Sequence, residues 1–448
     1  GQFGVAAESA RERHHLMTTI APHLIEPVAS VIPFDGSNSR LERATLRIGY
    51  KLGDGLRRSA GTPRELLGRS HRINAFEASS RIPGLKTQGL DGALIGWDGR
   101  LEDDARLVIA VARTAAAHGA KIITRCAATA VERGQVSARD ELTGESLTIR
   151  AGHTINATGV WSGELASGVR VTPSKGSHVI VTAQSMGNPA GSLTLPAQGG
   201  GAKYVFAIPT ADQTVMIGLT DTEYEGGLSA PPQADDWEID LLLGTISRAL
   251  ETPITRADVV GSFAGLRPLL VPEDGSAAGK TSDVSREHAV IEDPDSGMIT
   301  VVGGKLTTYR KMAEDAVSRV SQRPCATKTL PLVGALGAPT DDRALPARVL
   351  RRLGAEAFRV LTLTEGDHSL LEPAVRGSEI TPAELRFSAA YELALSADDL
   401  LDRRTRAGLT PAIRRELSGA AEDALAWAAS TCNDDHQGTP HDIAAASN

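Results

Sequence analysis

The sequence predicts an α/β fold, and three features of the chain indicate it. First, the apolar stretch ITVVGG (299–304) ends in two glycines and runs directly into the amphipathic stretch KLTTYRKMAEDAVSRV, which is typical of a strand–turn–helix junction. Second, residues 171–226 contain apolar runs separated by turn residues, which indicates a mainly antiparallel sheet. Third, from about Thr340 the chain becomes rich in Ala, Leu, Arg and Glu, which indicates a separate helical domain.

The elements before the β-rich region alternate in the same way. Residues 5–20 and 40–57 have charged and apolar residues at helical spacing, and residues 29–33 form a short apolar strand. From residue 92 to residue 126 we expect a strand (GALIGWDGR), a helix that begins near the carboxylates of Glu102 and Asp103, and a buried strand (AKIITRC). Two further strands are expected around the turn ELTGES.

Composition and charge argue against several classes of protein. The 448 residues carry 47 Lys and Arg against 55 Asp and Glu, a net charge of −8, so there is no basic excess to bind nucleic acid. Cys126, Cys325 and Cys432 are odd in number and far apart, which disfavours a disulfide framework or a metal site and favours the cytoplasm. No apolar run reaches the ~18–20 residues that span a bilayer, and we expect no signal peptide.

Two glycine-containing turns have the properties of ligand-binding turns. TINATGVW (154–161) ends a β-rich run in small residues, which let the backbone approach a ligand closely. At Gly303 and Gly304 a strand passes into a helix, so free backbone N–H groups and the positive end of the helix dipole point to the same place. Either turn by itself fits a tight connection without a ligand equally well.

In this order, the motifs resemble those of the FAD-dependent glycerol-3-phosphate dehydrogenase family. INATGVW is similar to the element that lies along the flavin in this superfamily, and GGKLTTYRKMAE is nearly identical to the family's C-terminal flavin element. Four more motifs follow the family's order: SKGSHVIV (174–181), IGLTDTEYEG (217–226), AGLRPLL (264–270) and SREHAVI (285–291). The helical segment 383–409 resembles the family's C-terminal domain, so the resemblance covers nearly the whole chain.

This resemblance implies an FAD/NAD(P)-binding Rossmann-like domain of the glutathione reductase and D-amino-acid oxidase type, a mainly antiparallel β substrate domain and a C-terminal α-helical domain. The implied boundaries are 1–170 and 271–330 for the FAD-binding domain with its inserted segments, 171–270 for the substrate domain, 340–432 for the helical domain and 433–448 for a disordered tail.

The resemblance also implies an activity. The family oxidises sn-glycerol 3-phosphate to dihydroxyacetone phosphate, transfers a hydride to N5 of FAD and passes the electrons to a quinone. It further implies glycerol 3-phosphate and quinone as partners, a cytoplasmic protein that associates peripherally with the inner face of the membrane, and allows a homodimer.

Individual residues receive roles from the same motifs. Arg267 and Arg286 match the positions that bind the substrate anion, a task that suits the fixed fork of a guanidinium. His178 is expected to transfer the proton or to bind the substrate hydroxyl, while His288 stays unassigned. The charge of Lys305 would stabilise reduced flavin or the developing alkoxide. Thr220 and Asp221 are expected to support the substrate contacts. The implied cofactor-binding residues are Ala157, Thr158, Gly159, Gly303, Gly304, Lys305, Leu306, Thr307 and Thr308.

The chain departs from the family at its amino terminus, where the family has a strand, a GxGxxG turn and a helix. Gly53-Asp54-Gly55 does not replace that turn, because Arg58 occupies the place of the third glycine. We therefore expect a fragment or truncated gene product that binds FAD poorly and has little activity. Three functions stay open here: a glycerol-3-phosphate dehydrogenase, a related flavin oxidoreductase of a 2-hydroxy or amino acid, and a non-catalytic truncated remnant.

Overall fold

The computed structural model describes residues 2–36, 39–166, 168–197, 204–210, 212–270, 287–337 and 344–435. The strands are β1 Ile25–Pro33, β2 His71–Ile73, β3 Ala93–Leu101, β4 Cys126–Glu132, β5 Gln135–Asp140, β6 Ser146–Arg150, β7 Ile155–Asn156, β8 Val171–Thr182, β9 Ser192–Pro196, β10 Tyr204–Pro209, β11 Thr214–Gly218, β12 Thr222–Glu223, β13 Val259–Leu270, β14 His288–Glu292 and β15 Ile299–Gly303. The α-helices are α1 Gln2–His15, α2 Arg40–Ser59, α3 Ala75–Arg81, α4 Asp104–Ala117, α5 Ser162–Leu165, α6 Asp236–Ser247, α7 Tyr309–Val317, α8 Ala347–Leu353, α9 Ala357–Thr362, α10 Pro382–Tyr391, α11 Pro411–Glu416 and α12 Ser418–Asp435.

The largest sheet has nine strands in the order β12-β8-β11-β10-β9-β1-β3-β2, with β13 also paired to β8. Its neighbours are antiparallel except for β1 and β9, which run parallel with Ser30 opposite Ser192. The face that carries Val31, Val179 and Val205 packs against α3 and α6 in the main hydrophobic core. This sheet therefore provides a rigid support for the residues on its opposite face.

Two smaller sheets lie outside the large one. In the first, β15 is the central strand, antiparallel to β14 and parallel to β7. In the second, β4, β5 and β6 form an antiparallel meander. The parallel β7–β15 pair brings the two glycine-containing turns of the sequence to the same end of one sheet.

The C-terminal helices form their own hydrophobic clusters and are joined to the preceding residues by buried ion pairs. Arg106 of α4 contacts Glu392 at 2.5 Å, and Arg352 of α8 contacts Asp103 at 2.8 Å. All four side chains are almost fully buried. Because a buried charge without its partner costs several kcal/mol, these pairs fix the helices in one position on the rest of the protein.

The predicted α/β class, the mainly antiparallel sheet and the helical C-terminal region are confirmed. The prediction of a buried strand at AKIITRC is wrong: the strand begins only at Cys126, and Ile123 is 58% exposed. A strand needs a neighbour for its backbone hydrogen bonds, and no described strand pairs with residues 120–125.

The domain boundaries stay a prediction. The large sheet draws β1, β2 and β3 from before residue 170 and the other strands from after it. Most of the predicted tail lies outside the described residues, and α12 extends to Asp435. Within the described ranges, no helix is both long and apolar enough to cross a membrane.

Candidate functional site

The first glycine-containing turn is shaped by the buried side chain of Asn156 at the end of β7. Its Nδ2 donates to the Ser162 carbonyl at 3.0 Å and to Thr300 Oγ1 at 3.3 Å. Its Oδ1 accepts hydrogen bonds from the backbone N–H and the hydroxyl of Thr158. Gly159 then adopts a φ of 65°, which favours glycine. Asn156, which received no role from the sequence, thus fixes the shape of the turn that holds Ala157, Thr158 and Gly159.

The second turn connects β15 to a short 3₁₀ segment, Leu306–Thr308, that continues into α7. Gly303 and Gly304 have φ values of 79° and 80°. A Cβ on Gly304 would lie 2.5 Å from Met312 Sδ, and one on Gly303 would lie 2.7 Å from a backbone oxygen. Both glycines are therefore required by the turn itself.

The start of this helix offers the chemistry of an anion site. The first N–H groups of a helix have no partner within it, and they lie at the positive end of its dipole. Here these are the N–H groups of Leu306 and Thr307, while Thr308 closes the turn by donating its N–H and its hydroxyl to the Lys305 carbonyl at 2.9 and 3.0 Å. Thr307 lies between them in the 3₁₀ segment. The donor set fits the pyrophosphate and ring oxygens of a dinucleotide such as FAD.

Part of the same motif has a structural role. Arg310 is buried and makes a two-pronged contact with Glu12 of α1, from Nε at 2.7 Å and from Nη2 at 2.6 Å. It also contacts Glu314 and Thr327. The arginine of GGKLTTYR therefore joins α1 to α7 and so stabilises the position of the helix that follows the glycine turn.

His178 lies on β8, opposite Gly218 on β11 and Phe263 on β13. Its ring stacks on the Phe263 ring with 4.7 Å between centroids and an angle of 5° between planes. Burial, and then the nearby charges of Arg267 and Arg406, lower the pKa of His178 to about 4. The imidazole is neutral at physiological pH, and its buried Nδ1 has no hydrogen-bond partner among the described residues.

Arg267 lies on β13 beside the Thr220–Asp221 turn. Its Nη2 is 3.5 Å from the Thr220 carbonyl, and its Nη1 is 3.6 Å from Asp221 Oδ1. Ser174 also donates to Asp221, at 2.5 Å. A Cβ on Gly176, in the neighbouring strand β8, would lie 2.2 Å from Arg267 Nη2, so this glycine makes room for the guanidinium. The predicted substrate residues Arg267, Thr220 and Asp221 are thus brought together.

A buried carboxylate that the sequence did not indicate supports this group. Glu238 of α6 accepts hydrogen bonds from the hydroxyls of Thr220 and Ser177, both at 2.7 Å, and forms an ion pair with Lys175 at 2.9 Å. Burial alone would raise the pKa of Glu238, but the Asp235 N–H and these hydroxyls lower it, so the group is ionised. The Asp-x-x-Glu spacing 235–238 signals a helix start, but it does not reveal this contact.

Two strands and the glycine turns meet at one place. β13 runs beside both β15 and the Gly159–Trp161 turn, and β8 also contacts that turn. A cavity of about 1490 Å³ lies on the face of the large sheet opposite Val31 and Val179, between the sheet and the C-terminal helices. His178 and Leu306 both line it, as do Phe263 and Arg406. The predicted catalytic histidine and a predicted cofactor residue therefore face the same space.

The structure describes only one of the two candidate residues in the motif SREHAVI. Arg286, predicted to bind the substrate anion, lies outside the described residues. His288, which received no role, is opposite Gly303 in the β14–β15 ladder and its Nε2 lies 2.9 Å from Asp315 Oδ2. This contact gives His288 a structural explanation within the small sheet.

Comparisons with known proteins give matches over nearly the whole length of the chain. Residues 2–310 match the family described as FAD dependent oxidoreductase, and residues 325–437 match the C-terminal domain of alpha-glycerophosphate oxidase. Glycerol-3-phosphate dehydrogenase 1 of Mycobacterium tuberculosis (strain ATCC 25618 / H37Rv) is 42% identical over 435 residues, which is 95% of this chain and 84% of that protein. Glycerol-3-phosphate dehydrogenase of Synechocystis sp. is 30% identical, over 90% of this chain and 78% of that protein. The X-ray structure of glycerol-3-phosphate dehydrogenase from Bacillus halodurans complexed with FAD has a TM-score of 0.70 and 24% identity, and covers 97% of this chain and 82% of that one.

Proposed function

Since the chain belongs to the FAD-dependent oxidoreductases of the glycerol-3-phosphate dehydrogenase family, we propose that it oxidises sn-glycerol 3-phosphate to dihydroxyacetone phosphate. The observation that supports this most directly is that the predicted cofactor-binding turns and the predicted substrate-binding residues lie close together. The glycine turns of β7 and β15 approach β13, which carries Arg267, and His178 shares a cavity with Leu306.

The phosphate of the substrate would be bound by arginine. Arg267 presents its guanidinium between Asp221 and the Thr220 carbonyl, so its orientation is set before the substrate arrives. Arg286 is the second candidate from the sequence. A preorganised fork loses little freedom on binding, which is the reason to expect arginine here.

His178 would take the proton from the C2 hydroxyl. A base must be neutral to accept a proton, and a pKa of about 4 keeps the ring neutral. The low pKa also makes His178 a weak base by itself. Proton transfer would therefore require a positively charged side chain close to the substrate oxygen that becomes the alkoxide. Arg267 and Lys305 are the candidates to supply that charge, and stabilising the developing anion in this way is an electrostatic effect.

The cofactor FAD would lie along the two glycine turns, held by Ala157, Thr158 and Gly159 on one side and by residues 303–308 on the other. When bound, FAD supplies the acceptor for the hydride from C2. We further propose quinone as the final electron acceptor, peripheral association with the cytoplasmic face of the membrane, and a homodimer.

The direct test uses the purified full chain and its visible spectrum. After saturation with FAD, we expect a flavin band that glycerol 3-phosphate bleaches under anaerobic conditions, while lactate and glycine do not. A protein that stays colourless without added FAD is the outcome expected of a truncated product that binds FAD poorly. Bleaching by lactate or glycine alone would support an oxidoreductase of a hydroxy or amino acid instead. Absence of flavin after supplementation with FAD would support a non-catalytic protein.

A matched pair of variants tests the anion site. Arg267→Lys removes the fork, and we expect kcat/KM for glycerol 3-phosphate to fall about 10–100-fold, the value of one or two charge-assisted hydrogen bonds. Arg256→Lys, on an exposed face of the protein, is the control and should leave kcat/KM unchanged. Equal effects of the two variants would contradict the assignment.

A further inference from the structure

The imidazole of His178 is held by packing and not by a hydrogen bond to its inner nitrogen. Its ring lies parallel to the Phe263 ring, with 4.7 Å between centroids. A Cβ on Gly218, on the neighbouring strand β11, would overlap the His178 ring, so this strand also approaches the imidazole closely. The buried Nδ1 has no hydrogen-bond partner among the described residues. A histidine that transfers a proton is usually oriented through its second ring nitrogen, and here the contact with Phe263 sets the orientation instead.

The Phe263 ring is in turn contacted from the C-terminal helical region. The guanidinium carbon of Arg406 lies 5.6 Å from the centroid of the Phe263 ring, within the range of a cation–π contact. A Cβ on Gly261, two residues before Phe263 on β13, would overlap the carbonyl oxygen of Leu409. The backbone of residues 407–409 can therefore pack directly on β13, and this close approach brings Arg406 to the ring.

Arg406 is itself fixed in one place. It forms ion pairs with Asp103, at 3.5 Å, and with Asp104 at the start of α4. Asp103 is buried and also pairs with Arg352 at 2.8 Å. The backbone at Arg406 has a φ of 61°, in the left-handed region that an arginine seldom adopts. Such a conformation persists only where the surroundings impose it, so the guanidinium belongs to a rigid contact between the helical region and the rest of the protein.

We infer that Arg406 is a positioning residue for the proposed proton transfer and acts on His178 through the ring of Phe263. The inference rests on the proposed function, in which His178 accepts the proton of the C2 hydroxyl. It gives the C-terminal helical region a part in the reaction site. Binding of the substrate phosphate by Arg406 explains the geometry less well, because two carboxylates already offset the charge of its guanidinium.

Removal of the guanidinium should change kcat and not KM. A general base contributes about 10²–10⁴-fold to a rate, so partial loss of its orientation in Arg406→Met should lower kcat about tenfold. KM for glycerol 3-phosphate should stay within about twofold of the wild type, since binding of the substrate is not altered. Phe263→Leu should have the same effect. Because both side chains act through one contact, the double variant Phe263→Leu/Arg406→Met should lower kcat no further.

The position of the imidazole can also be measured without turnover. The ring current of Phe263 displaces the NMR signal of the His178 Cε1–H, which is identified among the 11 histidines by its absence in His178→Gln. Phe263→Leu should remove this displacement, and Arg406→Met should change it. Burial, Arg267 of β13 and Arg406 together lower the pKa of His178. Loss of one positive charge favours the imidazolium, so this pKa should rise in Arg406→Met.

Two variants serve as controls for the loss of an ion pair and of a charge. Arg125→Met breaks the pair of Arg125 with Asp399, which also joins the helical region to the rest of the protein and does not line the cavity. It should leave kcat and the His178 signal unchanged. Arg406→Lys keeps the charge and should retain most of kcat and the pKa of His178. Turnover is measured with a soluble dye after saturation with FAD, and thermal unfolding shows that each variant is folded.

Four results would overturn the inference. The first is an Arg406→Met variant whose kcat and His178 signal are those of the wild type. The second is a rise in KM at unchanged kcat, since Arg406 would then bind the substrate. The third is multiplication of the two single effects in the double variant, and the fourth is an equal loss of kcat in Arg125→Met. If the FAD-saturated wild type does not turn over glycerol 3-phosphate, the proposed function fails. The His178 signal then decides the inference, which stands if Arg406→Met displaces that signal and falls if it does not.

Discussion

Replacing Gly176 by alanine tests whether the position of the Arg267 guanidinium matters for the reaction. The new Cβ would lie 2.2 Å from Arg267 Nη2, and an ordinary contact begins near 3.4 Å, so the guanidinium must move by about 1 Å. The atom that must move is the far end of a flexible side chain, so the fold should tolerate the change. Misplacement of a binding group by about 1 Å costs roughly 100-fold in rate.

We therefore expect Gly176→Ala to lower kcat/KM for glycerol 3-phosphate about 100-fold while the free energy of unfolding changes by less than about 1 kcal/mol. The assay is dye-linked turnover together with urea unfolding. Gly244→Ala is the control, because no heavy atom lies within 4 Å of a Cβ at this position in α6. Turnover of Gly176→Ala within threefold of the wild type would refute the reasoning, since Arg267 would then not need its observed position.

Three further predictions concern buried charges. Glu238→Gln weakens three charge-assisted contacts, and urea unfolding should show a loss of about 2 kcal/mol in the free energy of unfolding. Glu12→Gln removes one of the two carboxylates that pair with buried Arg310 and leaves Glu314, so we expect a loss of about 1.5–3 kcal/mol by the same measurement, and an unchanged urea midpoint would contradict the role of this pair. The pKa of His178 is about 4 in the folded protein against 6.5 for the free side chain, so the unfolded chain binds more protons between these values. Stability should fall as the pH drops from 6.5 to 4, by about 3 kcal/mol from this residue, and His178→Phe should remove that part of the pH dependence.

Much of the fold could be predicted from local patterns. The helix at 40–57, the strand at 93–101 and the apolar runs of β8, β10 and β11 have clear periodicity, and their predicted types agree with the structure. The strand predicted at AKIITRC shows the limit of this approach. An apolar run has the same pattern whether or not a neighbouring strand is present, and only the neighbour decides whether it pairs.

Site residues that belong to a local sequence motif could be predicted. Site residues that are brought in only by packing between distant elements could not. Gly303 and Gly304 were found because a strand–glycine–helix junction is visible in the sequence. Phe263, Arg406 and Glu238 were not, because each reaches the site from a different secondary-structure element. The contacts of Phe263 with His178, of Arg406 with Phe263 and of Glu238 with Thr220 depend on the register of β13 and on the placement of helices, which local spacing does not encode.

The parallel pairing of β1 with β9 has a consequence for synthesis of the protein. β1 and β3 can pair early, but the other edge of β1 waits for Ser192–Pro196, which the ribosome delivers much later. During that interval α3 can already cover Val31, but the edge of β1 that later pairs with β9 has no partner, and an unpaired edge of this kind can join other chains. Folding of the large sheet should therefore be completed late, and yield at high expression should depend on chaperones that protect this edge while the remaining strands are made.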